Sequence, residues 1–306
     1  MSLPFLQSYL GLSYSLQTAQ ASGSDSSATR GVFGGGYTTS FTNTIEYITI
    51  ATTGNATDFG DRTESKHSIA AVSSDTRGIF GGGNGPDSNV MDYITIATPG
   101  NATDFGDLVS ARYSLAGCNS STRGVFVGGG EPAENVMEYI TIATTGNTTD
   151  FGDLTTATYH LAGVNSATRG VFGGGYTTTT VNTIEYITIA TTGNATDFGD
   201  LTTSRYSVAG VNSSTRGVFA GGVSSNVMDY ITIATTGNAT DFGDLVSVRY
   251  GVAGVNSATR GVFGGGTTGT NSNVMEYITI ATTGNTTDFG DLTTATQGMG
   301  GLQNGL

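Results

Sequence analysis

Glu46–Asp61 reads E-Y-I-T-I-A-T-T-G-N-A-T-D-F-G-D, and the chain repeats this stretch six times with small changes. Its tyrosine stands at Tyr47, Tyr93, Tyr139, Tyr186, Tyr230 and Tyr277, at spacings of 46, 46, 47, 44 and 47 residues. A second phrase, T-R-G-V-F-G-G-G, keeps step with it, its arginines at Arg30, Arg77, Arg123, Arg169, Arg216 and Arg260. A unit in the mid-forties that holds several short strand-like runs cannot bury its apolar face alone. Such units stack, as propeller blades or an equivalent β array.

Working outward, E-Y-I-T-I-A alternates between two faces with period two and reads as a strand. Upstream lie two more strands. One is Arg112–Cys118 and its copies, among them Arg205–Val211; the other is R-G-V-F, separated from it by an N-S-S-T turn. Downstream, a T-G-N turn leads into a fourth strand, A-T-D-F-G-D-L. Four short antiparallel strands per repeat make one blade. The first strand appears five times internally, and its sixth copy has two candidates. Thr296–Leu302 keeps the spacing, whereas Ser13–Leu16 (S-Y-S-L) matches the wording but stands six residues too far from Thr29, so the first is favoured. The C-terminal strand is therefore expected to complete the blade that the N-terminal region begins, which ties both chain ends into one sheet and removes open edges. The fold class is all-β: a six-bladed β-propeller over residues 23–306, preceded by an apolar segment at residues 1–22.

Composition narrows the function classes. With 11 Lys and Arg against 24 Asp and Glu, net charge is −13, and the arginines are spread along the repeats rather than clustered. That pattern does not build a nucleic-acid groove. The single cysteine, Cys118, stands where other repeats carry Val164, Val211 and Val255, and reads as a small buried apolar residue. No apolar run approaches membrane-spanning length, so no membrane insertion is expected. The absence of Lys or Arg before Arg30 argues against a secretory signal.

Variation is concentrated between Gly-Gly-Gly and the next E-Y or D-Y, for example Y-T-T-S-F-T-N-T-I at Tyr37–Ile45 and E-P-A-E-N-V-M in the third repeat. Loops that vary on a rigid scaffold are where recognition sits. The candidate binding residues are Tyr37, Phe41, Asp87, Glu131, Glu134 and Tyr176. In the N-terminal segment, Phe5, Leu6, Tyr9 and Leu10 belong to an apolar run that either covers one end of the domain or docks it onto a larger assembly.

The order of G-G-G, variable loop, N-T-I-E-Y (Asn43–Tyr47), T-G-N-A-T-D-F-G-D-L and A-R-Y-S (Ala111–Ser114) resembles the kelch repeat over residues 24–302. The chain departs from it in having no tryptophan; Phe59 and its copies stand near that place. The kelch arginine matches Arg112, Arg205 and Arg249, with Lys66, Thr158 and Thr296 in the other repeats. The Thr-, Asn- and Gly-rich wording is also similar to repeat proteins encoded by marine bacteriophages and their hosts. That similarity implies a virion protein, a tail-fibre or appendage domain whose partners are other virion proteins or a host-surface glycan or protein. Such appendages are often homo-oligomers, although no heptad here enforces it.

Chemistry-bearing constellations are few. D-F-G occurs six times without a kinase catalytic loop, and the triple glycines lack the Lys-Ser/Thr of a phosphate loop, so they read as letting strands pack closely near a central channel. N-x-x-D-x-x-D (Asn55, Asp58, Asp61) could supply Ca²⁺ ligands only if six to eight oxygens converged. It reads instead as turn caps plus one aspartate paired with the T-R-G arginine. The N-x-T sites read as turn formers rather than glycan acceptors. His67 and His160 fall one position apart in the repeat and read as pointing to different places. No cofactor and no catalytic residue is expected. The alternative to a virion protein is a glycan- or peptide-binding propeller of a bacterial surface or an intracellular scaffold. The few loop aromatics weigh against six equivalent lectin sites.

Overall fold

The computed structural model describes residues 29–304, and these form six four-stranded antiparallel sheets arranged as a β-propeller, with no helix among the described residues. Phe5, Leu6, Tyr9 and Leu10 lie outside the described residues. Blade 1 consists of Gly300–Gln303, Arg30–Gly34, Thr44–Thr49 and Thr57–Asp61, from the axis outward. Blades 2 to 6 begin at Ala70, Ala116, Ala162, Ala209 and Ala253 and take their four strands in chain order. The C-terminal strand thus closes blade 1 against Arg30–Gly34, Val32 facing Leu302 and Phe33 facing Gly301.

The innermost strands are shorter than the sequence pattern implies. In blade 3 pairing begins at Ala116, because Ser114 takes a left-handed φ of 56° and turns the chain before the ladder starts.

The core lies between blades. One apolar layer joins Phe33, Ile48 and Ile50 of blade 1 to Val255, Val262, Met275 and Phe289 of blade 6, and the other interfaces repeat it. Each blade therefore completes its neighbour's core, as expected of units that bury nothing alone.

The repeated D-F-G-D is explained by this interface. Ile45 faces Gly60 and Glu46 faces Asp58, so Phe59 is the extra residue of a β-bulge, and its ring is buried in the inter-blade core. Gly60 follows at φ 146°, and a Cβ there would stand 2.5 Å from the Gly100 carbonyl oxygen of the next blade's P-G-N turn, the copy of T-G-N in the other repeats. That turn covers the exposed edge of the outermost strand. Gly100 N donates to Phe59 O at 2.7 Å, Asp61 N to Asn101 Oδ1 at 3.1 Å and Ala102 N to Asp61 O at 2.8 Å. The same lock recurs around the ring and ends with Asp291 N donating to Asn55 Oδ1 at 3.0 Å. The repeated asparagine is thus an inter-blade clamp on edge groups that would otherwise invite aggregation, rather than a cap of its own turn.

The T-R-G arginine does not pair with aspartate. Arg30 lies over the Tyr47 ring at 4.2 Å and donates from Nη1 to Ile96 O of blade 2 at 2.7 Å. Its five copies stack on the matching tyrosines at 4.3–4.4 Å and reach the following blade in the same way.

Candidate functional site

Every strand-two to strand-three loop emerges on one face, together with the connections between blades. The opposite face carries the near-invariant N-S-S-T and T-G-N turns. On the loop face, the connection into each blade holds one residue in a left-handed conformation: Ser68, Ser114, His160, Ser207, Gly251 and Gly298, with φ between 56° and 65°. Their main chains form a closed ring about the axis. Ser114 N donates to Ser68 O, His160 to Ser114, Ser207 to His160, Gly251 to Ser207, Gly298 to Gly251 and Ser68 to Gly298, at 2.6–3.3 Å. Non-glycine residues seldom occupy this region, and the ring holds four of them there.

Above the ring lies an axial pocket of about 300 Å³, lined among others by His67, Ser114, His160, Ser207, Tyr250 and Gln297. The residue just before each ring position is His67, Tyr113, Tyr159, Tyr206, Tyr250 or Gln297. Five of six blades thus bring an aromatic or imidazole ring to the loop face. This signal was in the sequence as the tyrosine after the kelch-like arginine (R-Y-S), but it lies in the connection between blades rather than in the variable loops.

The loop aromatics join these rings at two places. Tyr176 packs edge-on against Tyr159 at 5.6 Å and against Tyr206 at 5.4 Å, with His160 beside both partners. Tyr37 contacts Phe41 at 5.5 Å, and Phe41 stacks on His67 at 5.2 Å with the planes 3° apart. Phe41 keeps 39% of its surface exposed, unusual for so large an apolar side chain in this protein. His67 and His160 therefore converge on one pocket. Burial lowers the pKa of both, that of His160 to about 4, with the His67 charge adding to the effect and Glu131 opposing it. His67 Nδ1 and Ser68 Oγ lie 2.8 Å apart.

The acidic candidates separate. Glu131 accepts the Tyr113 hydroxyl at 2.7 Å on the loop face, and Tyr113 titrates above the usual phenol range, through desolvation first and then that bond. Asp87 is exposed and accepts from Asn84 Nδ2 at 3.3 Å. Glu134 turns inward, accepting from Ser110 Oγ at 3.3 Å with Arg112 Nε 3.9 Å away. Among the described residues, no three His, Cys, Asp or Glu side chains converge as metal ligands.

The axis below the ring is narrow and polar, lined by Gly117, Gly163, Gly210, Gly254 and Gly301 with Asn119, Asn165, Asn212 and Asn256. A Cβ at Gly163 would stand 2.2 Å from Gly117 O. These glycines, not the triple-glycine runs, permit close approach at the axis. The triple glycines pack against the connections between blades, where a Cβ at Gly35 would meet Lys66 O at 2.7 Å.

No protein-family model matches the chain, and no curated protein matches it significantly. The protein is a six-bladed β-propeller. That fold serves many functions, so the function has to be argued from the loop face.

Proposed function

We propose that this chain is a non-catalytic recognition propeller of a phage virion, an appendage domain whose loop face binds a neutral, hydroxyl-rich glycan on a host surface. One observation carries the binding part: Tyr159, Tyr176 and Tyr206 form a continuous aromatic wall beside a pocket whose lining mixes hydroxyl and imidazole groups with apolar side chains such as Leu115 and Val252. Rings that offer an apolar face next to neutral donors and acceptors suit a sugar, whose own surface alternates C–H and O–H groups. The site lies on the face that holds all the length variation among repeats, where ligand choice can change without disturbing the blades. Six equivalent sites are not required, since the aromatics build one axial site with two aromatic flanks. The virion placement rests on the similarity in repeat wording, and the acidic surface suits a particle-borne domain that must stay soluble.

The binding test is a glycan array followed by titration calorimetry on the best binder. Tyr176→Ala and Tyr206→Ala should each weaken binding about tenfold or more, the loss of roughly 1.4 kcal/mol. A ligand whose affinity ignores both variants binds elsewhere and defeats the reading; selective binding of peptides instead makes the domain a protein-interaction module. Mass spectrometry on gradient-purified particles tests the placement, which fails if the chain does not co-sediment in fixed stoichiometry.

A further inference from the structure

Blade 4 lacks an arginine that three of its sister blades bury, and the space that side chain would fill is open. In blade 3, Arg112 is fully buried. Its Nη1 donates to Gly128 O at 2.9 Å and Val136 O at 3.3 Å, and its Nη2 to the Glu138 carboxylate. Arg249 repeats this in blade 6 on Gly265 O, Val274 O and Glu276. Arg205 does so in blade 5 on Val227 O, Phe219 O and Asp229. Blade 2 has Lys66 at this position, which donates to Pro86 O, and Arg62 reaches Asp92 from four residues upstream. In blade 4 the position is Thr158, and a cavity of about 110 Å³ remains, lined by Thr158, Gly174, Thr183 and Glu185 with Phe172 and Val181 as apolar walls.

We propose that this cavity is a binding site for a guanidinium group, held by the Glu185 carboxylate and the main-chain carbonyls of Gly174 and Thr183. These are the same acceptors, at equivalent positions, that hold the guanidinium of Arg112 in blade 3. Glu185 is 6% exposed, and its partners are the Thr155 amide at 3.1 Å and the Thr155 hydroxyl; among the described residues no cation faces it. A buried carboxylate left without a cation is costly, and desolvation raises its pKa despite both Thr155 bonds. The Thr155 bonds do not block a cation. In blade 5 the Asp229 carboxylate accepts the equivalent Thr202 hydroxyl at 2.6 Å and Arg205 at 2.9 Å together.

The acceptor set selects for a fork. In blade 3 two different nitrogens of one planar group engage the carbonyls and the carboxylate, which a single ammonium cannot reproduce. Access is from the loop face, past exposed Thr156 and half-exposed Thr177. Blade 1 carries the same combination in Glu46 and Thr296, with Thr293 N donating to Glu46 at 2.7 Å. The site is separate from the axial pocket and does not depend on the glycan reading.

A guanidinium can arrive on a free alkylguanidine or on an arginine side chain of another polypeptide. The test follows the backbone amide signals of Thr155, Thr183 and Glu185 by NMR. Ethylguanidinium, agmatine and blocked Gly-Arg-Gly are titrated in turn, with ethylammonium as the control. The guanidinium probes should shift these signals saturably and ethylammonium should not. Saturation by the peptide places the natural source on a partner protein; saturation by the small probes alone places it on a free alkylguanidine. Thr158→Arg, whose own side chain fills the cavity, should abolish the shifts. Glu185→Gln keeps the shape and should weaken binding about tenfold, through loss of one charge-assisted bond. The proposal fails if no guanidinium probe saturates, if ethylammonium does as well as ethylguanidinium, or if the signals still respond in a folded Thr158→Arg protein or with unchanged affinity in Glu185→Gln.

Discussion

Arg260 of the last blade donates from Nη1 to the carbonyl oxygen of Ile50 in the first, at 3.1 Å, while its guanidinium lies over Tyr277 at 4.4 Å. Nη1 also donates to Ala51 O at 2.9 Å, and Arg77 makes the same pair of contacts inside the ring, to Ile142 O and Ala143 O at 3.0 Å each. The junction where the two chain ends meet is therefore bonded like any other. Arg260→Met and Arg77→Met should destabilise equally, each by roughly 1–2 kcal/mol from one charge-assisted donor shared by two carbonyls and one cation–π contact. Chemical denaturation of both variants checks this. A markedly larger loss at Arg260 would show the closing junction to be a weak seam.

Gly60→Ala places a methyl group 2.5 Å from Gly100 O at a φ that side chains rarely adopt. The expected loss is on the order of 3 kcal/mol, from backbone strain and overpacking together. Thr57→Ala, at an exposed position of the same strand, should change stability by less than about 0.5 kcal/mol. A tolerated Gly60→Ala would mean that the bulge and the Pro99–Asn101 turn can separate at little cost.

Arg112→Ala leaves the Glu138 carboxylate buried with only the Val109 amide and the Thr148 hydroxyl. Removing one partner of a buried pair costs roughly 3–5 kcal/mol. Blades 1 and 4 keep the carboxylate without an arginine, so the loss should fall near the lower end. Ethylguanidinium at millimolar concentration should recover part of it, raising the melting temperature of Arg112→Ala more than that of the parent. Equal shifts would show that the acceptors do not hold a guanidinium that is not tethered.

His160 has its pKa lowered to about 4 by burial, while in the unfolded chain it titrates near 6.5. Between these values the unfolded state binds more protons, so stability contributed by neutral His160 is complete above pH 6.5 and is lost as pH falls towards 4. His160→Asn accepts the left-handed backbone and does not titrate. It should flatten the stability profile between pH 6.5 and 4 by on the order of 2 kcal/mol, with partial exposure reducing the full linkage value. Melting temperatures across that range decide it: an unchanged slope would mean that His160 stays protonatable in the folded pocket.

Glu185 carries the opposite sign. Its folded pKa is raised, so folding takes up a proton above the usual carboxylate range and stability falls as pH rises through that window. Glu185→Gln should therefore gain on the parent protein as pH rises above about 4.5, measured as the difference in melting temperature along the pH series. A constant difference would place the Glu185 charge in contact with a cation or with water.

The repeats alone determined the number of blades and the four strands in each, whereas the pairing of Gly300–Gln303 with Arg30–Gly34 in the packed sheet decided between the two candidate closing strands. Periodicity and turn chemistry are local, and each of the six copies restates them. Tertiary structure decided what the repeated polar residues do. Asn55, Arg30 and Gly60 each act on a neighbouring blade, through contacts between residues tens to hundreds of positions apart, and no spacing within one repeat reveals them. The candidate site divides in the same way. Tyr37, Phe41 and Tyr176 were legible because variable loops stand out in the sequence. The rings that complete the site, Tyr159, Tyr206 and the two histidines, looked like ordinary connection residues until the six left-handed positions drew them around one axis. The cavity beside Glu185 needed both levels. The sequence shows threonine where a sister blade has arginine, and only the packed sheet keeps the vacated space and its acceptors in place.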